Sequence, residues 1–180
     1  MSATRSTTSA VPPSTADLLF PDFAGEHATT RRFLERFPEG HADWRPHERS
    51  RTLAELATHI AEIPNRGVAI ATTDDWDVAA HPLVRPLTTA KALVAHHDAA
   101  VAALHAALAP VTVDALSADW TLRRGPIVFV SGQKRVLMRS VMMSHLIHHR
   151  AQLGVYYRLL GLPVPSAYGP TADDAPPPRS

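Results

Sequence analysis

Cysteine is absent from this chain of 180 residues. Its absence excludes disulfides, thiolate metal ligands and a cysteine nucleophile, so any thiol chemistry has to use an external thiol. A chain without cysteine suits a reducing cytoplasm. No run of about 18 apolar residues occurs, which argues against a membrane span. An excess of one charge is also lacking: 18 Lys and Arg stand against 17 Asp and Glu. The basic residues are scattered rather than striped, which argues against a nucleic-acid partner. Residues 1–15, rich in Ser, Thr, Ala and Pro, have no apolar stretch and read as a disordered lead-in, not a signal peptide. Residues 172–180, with Asp173-Asp174 and Pro176-Pro177-Pro178, read as a mobile tail. Between them, residues 16–171 are expected to form one domain with a continuous core.

What the chain does have is histidine, eleven of them. The most informative run is Ser144-His145-Leu146-Ile147-His148-His149-Arg150-Ala151-Gln152-Leu153. In a helix, His145 and His149 stand one turn apart, with Cβ atoms about 5–6 Å apart. Two imidazoles so spaced can both ligate one metal ion at about 2.0–2.1 Å, but a third ligand must come from elsewhere. His59, in Leu56-Ala57-Thr58-His59-Ile60, is the best candidate. On a helical wheel His149 falls about 40° from His145, within a stripe that takes in Met138, Val141, Met142, Leu153, Tyr156, Leu159 and Leu160. Gln152 shares that face, His148 lies at its flank, and Arg150 projects to the outer side. His59 borders the buried face of its own helix. Three converging buried imidazoles are most simply satisfied by a cation.

Other readings of these residues stand beside the metal site. HxxxH arises by chance in a histidine-rich chain, three ordinary core histidines would look the same, and His148 can replace His149 at i, i+3 spacing. His96, His97 and His105 sit among alanines and read as partly exposed. His27, His41 and His81 have no evident pairing.

Periodicity predicts four helices, over residues 21–37, 52–71, 88–109 and 133–160. Thr52 and Glu55 have capping-box spacing at the start of the second, and Pro64 with Gly67 should kink it. Gly161 and Pro163 close the fourth. Residues 120–131 carry the strand character, as a short hairpin or extended crossover. The expected fold is therefore all-α, a four-helix bundle with a short extended or hairpin segment before the last helix. The di-iron pattern of such bundles is not met, because the fourth helix has no carboxylate.

With these residues in hand, the chain resembles the DinB superfamily of metalloenzymes. The resemblance runs from about residue 20 to 174 and rests on three motifs in order. They are Asp43-Trp44-Arg45-Pro46-His47-Glu48-Arg49-Ser50, then Leu53-Ala54-Glu55-Leu56-Ala57-Thr58-His59-Ile60, then His145 to Leu153, continuing through Tyr156-Tyr157-Arg158-Leu159-Leu160-Gly161. It implies up-down-down-up topology, a homodimer, and a divalent metal, zinc or nickel, on His59, His145 and His149. Ser144 departs from the Asn common among relatives. Characterised relatives include thiol-dependent S-transferases and a mycothiol-dependent maleylpyruvate isomerase.

Three neutral imidazoles leave the ion's charge uncompensated and a coordination position open, as in catalytic sites. The functional expectation is a metal-dependent transferase or hydrolase acting on a small molecule. Its ion activates water or a low-molecular-weight thiol cosubstrate. The alternative is a non-catalytic dimeric metal-binding stress-response protein. Glu55, with Glu62 behind it, is the candidate to orient His59 from outside the ligand set. His47, Gln152 and Tyr156 are candidates for the pocket wall. Trp44 and Trp120 read as packing residues.

Overall fold

Thr52 starts the helix that carries His59. Its hydroxyl accepts from Glu55 N at 3.2 Å, while the Glu55 carboxylate accepts from Thr52 N at 2.8 Å. This reciprocal cap satisfies two backbone donors of α3 (Leu53–Glu62). The computed structural model describes residues 15–81 and 84–173. Around α3 stand α1 (Thr15–Leu19), α2 (Phe23–Glu35), α4 (Pro64–Thr72) and α5 (Ala90–Leu108). The chain continues through α6 (Val113–Ser117) to α7 (Lys134–Leu137), a π-helical turn (Met138–Ser144) and α8 (His145–Leu159). Pro64 divides the predicted second helix into α3 and α4, since proline cannot donate the helical hydrogen bond at that point. Gly161 follows α8 with φ 71°, the left-handed cap expected there.

The fold is mostly helical, but the all-α expectation is corrected by a three-stranded sheet. Strand β1 (Asp75–Asp77) runs parallel to β2 (Asp119–Arg124), which pairs antiparallel with β3 (Ile127–Gln133). The β2–β3 pair matches the predicted hairpin. Strand β1 escapes prediction because Asp-Trp-Asp is three residues long and flanked by polar positions, which reads as loop. Periodicity also misses the short helices α1 and α6. Helix α1 begins inside the predicted lead-in, whose first fourteen residues lie outside the described ones. Of the predicted tail, residues 174–180 lie outside as well, whereas Asp173 pairs with Arg158 and accepts from Val164 N at 2.9 Å.

The core gathers Leu34, Leu53, Leu56, Ile60, Leu93, Leu104, Leu146 and Leu153, all essentially inaccessible to solvent. Burying each such side chain contributes roughly 1.5–3 kcal/mol. Gly67 lets α4 press against α5 and the π-helical turn, for a Cβ there would stand 2.6 Å from Leu104 Cδ1 and 3.3 Å from Met138 Sδ. Among the described residues no helix is long and apolar enough to cross a membrane.

Helix α8 is covered on both sides, by α3 and by α2, and this overturns one reading of the wheel. Arg150, expected on the outer surface, is 1% exposed. It forms an ion pair with Glu26 at 2.7 Å and donates to Thr30 Oγ1 and Tyr168 Oη. A one-sided wheel had no place for α2 or for the segment after Gly161, which lays Tyr168 over the guanidinium. Leu159, assigned to the apolar stripe, is 60% exposed. His97, expected to be partly exposed, is buried, and its ring centroid lies 5.6 Å from that of buried His27.

Candidate metal centre

Helix α3 delivers His59 and α8 delivers His145 and His149 to the interface between them. The three rings meet nearly edge to face, with centroids 4.4–5.2 Å apart: His145–His149 4.4 Å, His59–His149 4.7 Å and His59–His145 5.2 Å. One nitrogen from each lies within 4.8 Å of the other two. His59 Nε2 and His145 Nε2 stand 3.0 Å apart. That is close to the separation of two ligand atoms bound to one ion at about 2.0–2.1 Å. His148 is exposed and meets the His149 ring edge-on from outside the group, so His149 is the residue that joins it.

Burial keeps all three rings uncharged. It lowers the pKa of His59, opposed by the Glu62 carboxylate and reinforced by Arg51 and Arg66. For His145 burial, then Arg66 and the other histidines, brings the value down to about 3. For His149 burial brings it to about 4, against the hydrogen bond its ring donates to Gln152, which favours the charged ring. Gln152 Oε1 accepts from His149 Nδ1 at 2.7 Å, which fixes the tautomer and leaves Nε2 as the donor to any ion. Glu62 lies 3.7 Å from His59 Nδ1, an electrostatic contact that favours a proton on that nitrogen and a lone pair on Nε2. Facing lone pairs 3.0 Å apart repel unless a proton or cation lies between them. The donor set therefore fits a divalent ion.

Glu55 borders the smaller cleft with His59, but its carboxylate is engaged in the helix cap, so Glu62 is the acid beside the His59 ring. The other candidates fall elsewhere. His47 is exposed, and its Nδ1 accepts from Arg49 N at 3.1 Å within its own loop. Tyr156 donates to Arg51 O at 3.2 Å and packs edge-on against Trp44, anchoring that loop instead of lining a pocket.

Sequence reasoning missed Arg66. Its Nη1 stands 3.2 Å from His145 Nε2, and burial lowers its pKa. The signal was there, because Arg66 follows His59 by seven residues and returns to the same helical face after two turns. Two clefts open beside the histidines. One of about 330 Å³ is bordered by Glu62, Arg66, Trp76, Val84 and Arg124. The other, of about 230 Å³, reaches His59 itself and shares Glu62 and Val84 with the first. Leu87 N donates to Thr58 Oγ1 at 2.7 Å, which ties the 84–87 segment across α3 as the rim of both.

A mostly helical fold with an inward-facing group of three neutral histidines defines a class of candidate metal-binding proteins. The chain belongs to the DinB family, whose model matches residues 13–179. Its fold is similar to that of a DinB-like protein from Bacillus subtilis, with 19% identity and a TM-score of 0.63 over 83% of this chain and 96% of that one. A DinB-like protein from Bacillus cereus gives 19% identity and a TM-score of 0.62, covering 83% of this chain and 95% of the other. A DinB family protein from Exiguobacterium sibiricum gives 21% and 0.61, covering 86% and 98%. No curated protein matches the chain.

Proposed function

We propose that the chain is a metal-dependent enzyme of the thiol S-transferase or hydrolase type, with His59, His145 and His149 holding zinc or nickel. The observation that carries this reading is the meeting of three uncharged imidazole donors within 4.8 Å beside an open cleft. When bound, a divalent ion supplies a Lewis acid that lowers the pKa of an incoming thiol or water. The chain's own groups do the rest. Gln152 and Glu62 hold the ring tautomers. Glu62, at the shared edge of both clefts, is placed to take up the proton that the nucleophile gives up. With no cysteine in the sequence, the thiol is a small cosubstrate, in keeping with a cytoplasmic location.

A homodimer completes the proposal. Strand β3 lies at the sheet edge and leaves Ile127, Val128 and Phe129 more than half exposed. Such an edge favours pairing with a second copy, and light scattering on the purified chain checks it.

The test is elemental analysis of freshly purified protein, paired with thiol-transfer and hydrolysis assays on electrophilic substrates. We expect about one divalent ion per chain, with both ion and turnover lost in His145→Ala while the circular dichroism spectrum is retained. A chain purified without chelator that holds no metal, or a variant that retains full turnover, would refute the proposal.

A further inference from the structure

The larger cleft has a charge that no described carboxylate meets in an ion pair, Glu62 acting on it only from across the wall. Arg66 reaches it from α4 as a partly buried guanidinium. Its one hydrogen-bond contact among the described residues is the nitrogen of His145. Withdrawing a guanidinium from water is costly unless an anion meets it. Across the cleft stands Arg124 on β2. Its neighbour Arg123 is spent on Asp75 and Asp77, at 2.5 and 2.6 Å. Alternation along the strand therefore turns Arg124 to the opposite face of the sheet. Trp76 is in register with Leu122, so it shares that face with Arg124, and both border the cleft. The adjoining smaller cleft adds Arg51 and Arg85. Along the two walls four arginines face Glu55 and Glu62, and Glu55 is already committed to a helix cap.

We infer that the cleft between Arg66, Arg124 and Trp76 is the substrate subsite and that it takes a small carboxylate with a flat apolar body. As a substrate subsite it rests on the metal-centre reading above. The guanidiniums offer the forked donors that match a carboxylate, and Trp76, Val78 and Val84 supply apolar walls. A volume of about 330 Å³ suits a molecule of roughly one or two rings. Arg66 and Arg124 are thus specificity residues that set which molecule lies beside the histidines.

Benzoate, its neutral isostere benzamide, and inorganic phosphate serve as probes, titrated by calorimetry and by tryptophan fluorescence into the full chain, metal-free and zinc-loaded. Zinc content is measured in the same samples. Benzoate should bind both forms, with benzamide and phosphate at least fivefold weaker. R124Q and W76L should each weaken benzoate about tenfold while K91Q, at a residue that lines neither cleft, changes nothing. Because R66Q can disturb the fold, R124Q at its exposed position carries the decision. Any loss smaller than fivefold in R124Q overturns the subsite, as does benzamide or phosphate binding as well as benzoate. Zinc uptake without benzoate binding overturns the subsite and leaves the metal reading standing. Benzoate binding in a chain that takes up no metal supports the anion cleft and removes the metal reading.

Discussion

Metal affinity should be almost indifferent to acid down to pH 5.5. Three independent imidazoles with the ordinary value of 6.5 would each be about 90% protonated at that pH. Protons would then compete at all three nitrogens. The affinity of such a set would fall by about 11³, roughly a thousandfold or about 4 kcal/mol, between pH 7.5 and 5.5. In the folded protein His145 is held down to about 3 and His149 to about 4, while burial lowers His59 as well. At pH 5.5 the first two are then more than 95% neutral, so their combined proton penalty is only a few per cent. Allowing for His59, the total loss should stay below about tenfold. Calorimetric titration of zinc into the metal-free chain, in non-chelating buffers across this range, reads the quantity directly. A thousandfold loss of affinity would refute the geometry. It would mean that the rings titrate as solvated groups and do not share a dry interface between α3 and α8.

The metal-free protein itself should lose stability in acid through His27. Burial, then the charges of His97, His105 and Arg150, pushes His27 down to about 3. The unfolded chain therefore takes up the extra proton as pH falls below 6.5, and stability drops with it. The share of His27 is about 2 kcal/mol at pH 5 relative to pH 8, visible as a lower urea midpoint. In His27→Leu that share should vanish, while the losses through His145 and His149, lowered in the same way, remain. Arg150→Ala should cost about 3–5 kcal/mol, because it leaves Glu26 buried without its partner. Thermal melts of the variant should fall by roughly 6–20 °C, while a cost under 1 kcal/mol would mean the pair is solvated.

Much of the histidine geometry was readable in the sequence because helix phase survives in short, regular stretches. His145 and His149 share a regular α-helix, and His59 lies six residues into a helix whose capping box fixes its start. What escaped reading has physical causes. Arg150 looked exposed because a wheel scores one buried face, while α8 packs against α2 as well as α3. Glu55 looked better placed than Glu62 because phase alone ignores that the cap holds Glu55 by its carboxylate. Arg66 lay in phase with His59 but beyond the Pro64 kink, and Trp76 was hidden by a strand too short to carry a pattern.

The widened turn at Met138–Ser144 sets the clocking of everything downstream. Within it each amide bonds five residues back instead of four, so the turn holds a surplus residue that a regular helix would not accommodate. Were the same seven residues to wind as a regular α-helix, the surplus one would swing His145 and His149 by about 100° around the rod. Both imidazoles would then leave the side of the rod that meets His59. The looser winding just ahead of His145 thus decides whether the donor group exists at all.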